Sequence, residues 1–285
     1  MCIEVKEALG WWTLDPLAFG MVGTSSAIYS RGLSALWRSA GVGAGIRRGE
    51  AAAFYLGQLS LLVALVSPLD RLSDVLFSAH MAQHEILLIV APPLIVLGRP
   101  VVALAWAFGP KRRARVMRAL NSPHISRFWR FVSAPVIIVL LHGLILWLWH
   151  IPALFEAALR NEGVHAVQHG SFFITAVVFW WGIVRGRYGR GGYGLAAAFV
   201  FATAMHTSIL GALLTVASRL WYPLYASRAA PWAVDAVQDQ QLAGLIMWIP
   251  AGLLLGLLSL GLFAAWLGEA SRRVGSAERR RSTGP

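Results

Sequence analysis

The apolar residues of this chain neither alternate nor fall on a single helical stripe. They form long runs separated by short stretches rich in charge, glycine or proline. Runs of this kind predict helices that are apolar all round and surrounded by lipid or by other helices. Seven are expected, at residues 16–37, 51–68, 75–98, 131–155, 164–184, 194–217 and 240–267, and several exceed the roughly 20 residues that cross a bilayer. The first is the most polar and contains Arg31. In the third, Pro92 and Pro93 remove two backbone donors and are expected to kink its second half.

The pattern predicts an all-α fold, a polytopic transmembrane helical bundle forming one membrane domain over residues 16–268. A polar segment, 1–15, precedes it and shows no apolar stretch of the signal-peptide type. A basic connection, 99–130, interrupts it, and the basic tail 269–285 is expected to be disordered. Within the connection, Val101 to Leu120 reads as an amphipathic stretch on the cytoplasmic surface, carrying Lys111, Arg112, Arg113, Arg115 and Arg118. The glycine-rich stretch Gly186 to Gly194 is expected to be a flexible turn rather than a phosphate-binding loop.

Composition supports this picture, because 57% hydrophobic and 13% charged residues leave too little polar surface for a water-soluble globule of 285 residues. The net charge of +12 would otherwise suggest nucleic acid, but the basic residues sit in clusters between apolar runs. They are read as topology signals and as contacts to anionic membrane lipid, with no nucleic-acid partner. The loops after segments 1, 3 and 5 and the tail hold 19 Lys and Arg, against 5 in the N-terminal segment and the other loops. For seven spans this places the N-terminus outside and the C-terminus in the cytoplasm. Trp147, Trp149, Trp180, Trp181, Trp221 and Trp266 lie near segment ends, as interfacial belts would. Cys2 is the one cysteine, so a metal site would rest on His, Met, Asp or Glu.

Seven of the eight histidines fall in or at the ends of apolar segments, His124 being the exception. Such residues within a membrane are functional candidates by default. His80 with His84, and His165 with His169, are spaced i, i+4, which stacks two imidazoles on one helix face about 6 Å apart. The predicted topology brings both pairs, together with His150, to the outer ends of their helices, so a single outward-opening cavity is expected. His142 and His206 lie deeper. Asp239 opens the last segment on the same side with Gln240 and Gln241, while Asp15, Asp70 and Asp74 border other outer ends. Each of these aspartates could serve a metal or simply terminate a helix. Met81, Met205 and Met247 are soft donors, though methionine in a membrane core ordinarily packs. Glu85 is an intramembrane carboxylate about 100° around the helix from His84. Neutral imidazole suits copper, zinc and haem iron alike, so these residues leave the metal open.

Several blocks in order resemble the CtaG family of cytochrome c oxidase assembly factors, those associated with caa-type oxidases. The blocks are His80-Met-Ala-Gln-His84, Ala91-Pro-Pro-Leu-Ile-Val-Leu-Gly98-Arg-Pro100, Trp149-His-Ile-Pro-Ala-Leu-Phe-Glu156, Val164-His-Ala-Val-Gln-His169, Phe179-Trp-Trp181 and Asp239-Gln-Gln-Leu-Ala-Gly-Leu-Ile-Met-Trp-Ile-Pro250. The resemblance runs from about residue 12 to 267. It implies a multi-pass protein of the bacterial plasma membrane, a non-enzymatic helper that partners cytochrome c oxidase subunits and acts in copper delivery or insertion. By the same resemblance His80, His84, His165 and His169 would be the metal residues, with His150 and Asp239 behind them. A bis-histidine haem carrier, a seven-helix zinc hydrolase and a scaffold whose histidines only hydrogen-bond are the competing expectations.

Overall fold

The structure is a computed structural model that describes residues 12, 13, 15–185 and 192–282. Most of the polar N-terminal segment and of the glycine-rich turn lies outside the described residues. Helix is the regular secondary structure of the described residues, with no strand among them. In chain order the helices are α1 (Pro16–Ala40), α2 (Arg48–Val66), α3 (Pro68–Ser73), α4 (Phe77–Glu85), α5 (Ala91–Leu97), α6 (Pro100–Trp106), α7 (Pro110–Leu120), α8 (Pro123–Val132), α9 (Pro135–Trp149), α10 (Pro152–Arg160), α11 (Glu162–Arg185), α12 (Gly192–Val216), α13 (Leu224–Ala229) and α14 (Ala236–Ser282). Proline opens α1, α3, α6, α7, α8, α9 and α10. At that position its fixed φ suits a helix and its missing N–H leaves no intrahelical bond unmade.

Five segments are long and apolar enough to cross a membrane: Arg48–Val66, Phe77–Leu97, Glu162–Arg185, Gly192–Val216 and Ala236–Arg272. A sixth arises if α8 and α9, bent by 63° at Ser133 and Ala134, are taken together. The expected straight segment 131–155 is therefore broken at both ends, by Pro135 and by Pro152, and α9 alone has 15 residues, about 22 Å of helix. Outward-facing Leu140, Leu144, Leu253, Leu257 and Leu260 are between 62% and 67% exposed, a pattern that suits hydrocarbon rather than water. α1 has the length of a span, but Arg31, Arg38 and its many small polar residues set it apart. The Arg31 guanidinium donates through Nε to the Ala107 carbonyl (3.0 Å).

Four other expectations change. The two prolines produce a π-helical turn, Ile86–Val90, between α4 and α5, and Phe77–Leu97 remains one span. Pro92 and Pro93 cannot bond the carbonyls of Leu88 and Ile89 four residues back; the Trp180 indole N–H takes the Leu88 carbonyl instead (2.9 Å). That contact buries Trp180, and Trp149 is likewise buried with its indole on Ser171 Oγ (2.8 Å), so neither belongs to an interfacial belt. The stretch 101–120 splits: α6 packs on α1, with Gly32 against the backbone of Ala103, whereas α7 buries no residue. α14 runs on to Ser282, where the sequence predicts a disordered tail from 269; its Ala, Glu and Arg residues are good helix formers.

Two apolar cores result. One joins α1, α2, α5 and α6 around Tyr29, Phe54 and Ile46; the larger joins α4 and α9 to α14 around Phe77, Phe155, Phe172 and Leu214. In the larger core α12 and α14 touch backbone to backbone. A Cβ on Gly211 would lie 3.0 Å from the Gly244 carbonyl oxygen, and one on Gly244 would lie 2.6 Å from that of Gly211. Small residues permit this approach where lipid supplies no hydrophobic drive between helices. Gly244→Val should therefore destabilise the protein by about 1–3 kcal/mol or more, while Gly256→Ala, whose Cβ meets nothing within 4 Å, should not. Thermal unfolding of the two variants in detergent checks this, and equal melting temperatures would refute the close contact.

Candidate metal centre

The histidine cluster is built from the first turns of α4 and α11. α4 begins inside the protein, so its first amide groups have no preceding turn to bond. Asp239 of α14 supplies the acceptor: its carboxylate takes Phe77 N–H at 2.6 Å, Ser78 N–H at 3.3 Å and the Ser78 hydroxyl. An acid at a helix N-terminus is favoured both by these bonds and by the helix dipole. α4 is thereby set so that His80 and His84 face α11.

On α11 the side chain and backbone of Asn161 cap the first turn, accepting from Val164 N–H (3.0 Å) and His165 N–H (3.0 Å). The four imidazoles then converge. Ring centroids are 4.3 Å apart for His80 and His84, 4.0 Å for His165 and His169, 5.3 Å for His80 and His165, and 5.1 Å for His84 and His169. One nitrogen from each of His80, His165 and His169 lies within 4.8 Å of the others. His80 and His84 are fully buried, His165 and His169 half-buried.

Much of the hydrogen-bonding capacity of this group is unmet, as it also is at His206 outside it. Both ring nitrogens of His80 and of His84, and Nε2 of His165 and His169, are buried without a partner. Buried polar atoms are nearly always paired, so several orphaned imidazole nitrogens facing one another need an occupant. They fit a metal ion: uncharged nitrogen lone pairs at bridging distance, drawn from two helices.

His150, the C-cap of α9, joins this end of the bundle. Its Nδ1–H donates to the Leu146 carbonyl (2.7 Å), which leaves Nε2 as a lone pair, buried and unpartnered. Phe155 lies against both His80 and His150, and Phe172 against both His84 and His150, so two phenyl rings separate His150 from the other four.

Asp239 is placed differently from expectation. Its oxygens are engaged at the start of α4, so it positions the histidine helix instead of facing the imidazoles. The remaining polar candidates on this side have structural tasks. Asp15 caps α1 through Leu17 N–H, and Asp70 accepts from Thr13 and Gln83. Gln240 ties down Trp221 and Arg219, and Gln241 ties down Ala217. Met81 packs in the apolar core and Met205 faces outward, 45% exposed. His142 and His206 form a separate pair deeper in the bundle, 6.3 Å between centroids.

The connection between α12 and α14 covers the site, which the sequence reading missed. Tyr222 donates to the His150 carbonyl (2.9 Å) and Tyr225 to the Ser73 carbonyl (3.0 Å). Burial pushes both phenols above their ordinary pKa, so they remain neutral donors. Phe77, Phe155 and Tyr222 pack edge-on and tilted into an apolar lid, with centroids 4.3 to 5.4 Å apart. Arg228 fastens it by donating to the carbonyls of Asp74 and Leu159. The closely spaced aromatic residues Trp221, Tyr222 and Tyr225 in this connection were the available signal. Gln168, wholly buried with its amide unpartnered, also borders this region and carried no signal of its own.

The family model for the cytochrome c oxidase caa3 assembly factor, Caa3_CtaG, matches residues 27–269. This chain belongs to that family. The match contains every histidine discussed above and Asp239. Among curated proteins it is similar to uncharacterized proteins of Mycobacterium bovis and Mycobacterium tuberculosis, each 28% identical over 283 residues. A third, from Mycobacterium leprae, is 26% identical over 242 residues. These alignments cover 97%, 97% and 79% of this chain but 42%, 42% and 35% of the relatives, so the chain spans less than half of their length. No solved structure matches.

For this caa3 assembly factor homologue the Asp239 cap makes a direct prediction. Asp239→Asn replaces one acceptor oxygen with a donor facing other donors, and should cost about 1.5–3 kcal/mol. Ser78→Ala, which removes one hydroxyl donor, should cost about 1 kcal/mol or less. Thermal unfolding followed by circular dichroism measures both, and an unchanged melting temperature for Asp239→Asn would remove the capping role.

Proposed function

We propose that this protein is a multi-pass membrane assembly factor for caa3-type cytochrome c oxidase that holds a copper ion between α4 and α11 and passes it to an oxidase subunit. Copper here is cargo rather than a resident cofactor. The observation that carries the reading is the convergence of His80, His165 and His169 within 4.8 Å, with their buried nitrogens unpartnered. His84, with ring centroids 4.3 Å from His80 and 5.1 Å from His169, stands close enough to share the ion, while His150 lies behind Phe155 and Phe172. Neutral imidazoles suit Cu(I), which accepts two or three nitrogen donors and would add one positive charge to an uncharged site. The aromatic lid keeps water from the ion, which limits oxidation and loss.

In this reading α1 is the seventh span, with Arg31 bonded to backbone, and the positive-inside pattern places the histidine end outside the plasma membrane. The role is non-enzymatic. The haem alternative fits less well because His80 and His165 are stacked, with 26° between ring planes; axial ligands would direct their lone pairs at each other across a macrocycle. Zinc shares the donor preference and is separated by experiment.

The test is anaerobic titration of the purified full-length protein with Cu(I) against a chromophoric chelator, repeated with Zn(II). Wild type should retain Cu(I), and His80→Ala/His165→Ala should bind it roughly 100-fold more weakly or worse, in line with loss of first-sphere ligands. Unchanged affinity in the double variant, or a haem band in the purified protein, would overturn the copper reading. In cells, the same variant should lower the copper content of the oxidase without lowering its transcripts.

A further inference from the structure

Beyond the outer cluster, one buried carboxylate has no hydrogen bond among the described residues. Glu85 follows His84 at the end of α4, is 8% exposed, and its Oε2 is buried without a partner. A carboxylate in the interior of a membrane bundle is costly, and one without a protein partner calls for a ligand. The π-helical turn starts at the next residue, a distortion that recurs at functional sites. Glu85 lines a cavity of about 20 Å³ with His142, Thr203, Thr207 and Met247. That volume suits a single small occupant, since roughly 10–15 Å³ accommodates one water.

The hydrogen bonds of the lining residues fix what they present. Thr175 Oγ1 donates to the carbonyl of Ser171 (2.9 Å) or Phe172 (3.1 Å), so towards His142 Nδ1 (3.4 Å) it can only accept. His142 therefore carries its proton on Nδ1, and Nε2 is a lone pair. The Thr203 hydroxyl donates to the Phe199 carbonyl (3.0 Å), and that of Thr207 to Thr203 or Ala204 (3.0 Å each). Their oxygens, too, are left as acceptors. With the Met247 thioether, and with Glu85 once an incoming ion displaces its proton, the polar atoms around this cavity offer lone pairs. Such a lining recognises a cation.

We propose that this cavity is a second, inner Cu(I) site, formed by Glu85, His142 and Met247, to which the outer histidine cluster passes its ion. This rests on the copper reading of the outer cluster. The donor set is a soft thioether, an imidazole and one carboxylate, and a monovalent ion bound to a single carboxylate is electrically neutral, as the apolar surroundings require. The outer cluster offers nitrogen alone, so the two sites differ in their ligand atoms. The next charged step inward from the outer cluster is Glu85, one residue beyond His84.

The experiment uses the full-length protein in detergent, loaded anaerobically with Cu(I), with bound copper counted and the Cu K-edge absorption recorded. Wild type should bind two Cu(I), with sulfur among the neighbours. Glu85→Gln and the near-isosteric Met247→Leu should each bind one, without sulfur scattering, and should melt like wild type. His80→Ala/His165→Ala should also bind one, with its sulfur signal retained. Unchanged stoichiometry and spectrum in both Glu85→Gln and Met247→Leu, with copper lost from the outer variant, would overturn the inner site and leave the outer one standing. No copper in any of these proteins would overturn both.

Discussion

A helix that starts inside a protein must find acceptors for amide groups that no earlier turn can satisfy, and in a membrane water is not there to take them. For α4 that requirement is met by one side chain, Asp239, reaching from a helix 162 residues away in sequence. The carboxylate fixes where α4 begins and which way its first turn faces. His80 and His84 follow within two turns, so their direction is set by the same contact. The lid depends on it as well, because Phe77, whose amide Asp239 holds, is the ring on which Phe155 and Tyr222 pack. An acid that looks from sequence like a possible ligand serves as the foundation of the ligands.

The broad architecture was legible because membrane helices write themselves as long apolar runs. Each of the seven expected segments has a helical counterpart, and Arg31 and the small polar residues of the first correctly mark it as unlike the others. What the runs concealed was local backbone chemistry. Pro135 and Pro152 are each tolerated at a helix start, so apolar residues on both sides of them gave one continuous run where the chain turns. Pro92 and Pro93 predicted a bend, but the Trp180 indole satisfies the freed carbonyl and the strain is taken up as a wider turn. The same bond explains why a tryptophan near a segment end is buried.

The histidine pairs were legible for a related reason. The i, i+4 spacing fixes a shared face, and an alternating topology fixes which ends meet, so four imidazoles could be assigned to one cluster without coordinates, though the cluster is packed beneath aromatic rings where an open cavity was expected. Asp239 could not be assigned so simply, since an acid at a helix end and an acid at a metal look alike along the chain. Nor could Tyr222, Phe155 and Gln168, whose roles come from how the α12–α14 connection folds back over the site.

The glycine contact between α12 and α14 has a mechanical consequence. Two helices whose backbones already touch cannot be pressed closer or slid without collision, so that pair behaves as a fixed post. Through Asp239, α4 is clamped to the post, and His80 and His84 move with it. His165 and His169 ride on α11, whose N-terminal end is held by Asn161. α11 is bonded to the span that α4 opens, by Trp180 to the Leu88 carbonyl and by Arg185 to the carbonyls of Val96 and Leu97, so both imidazole pairs are carried on one braced frame.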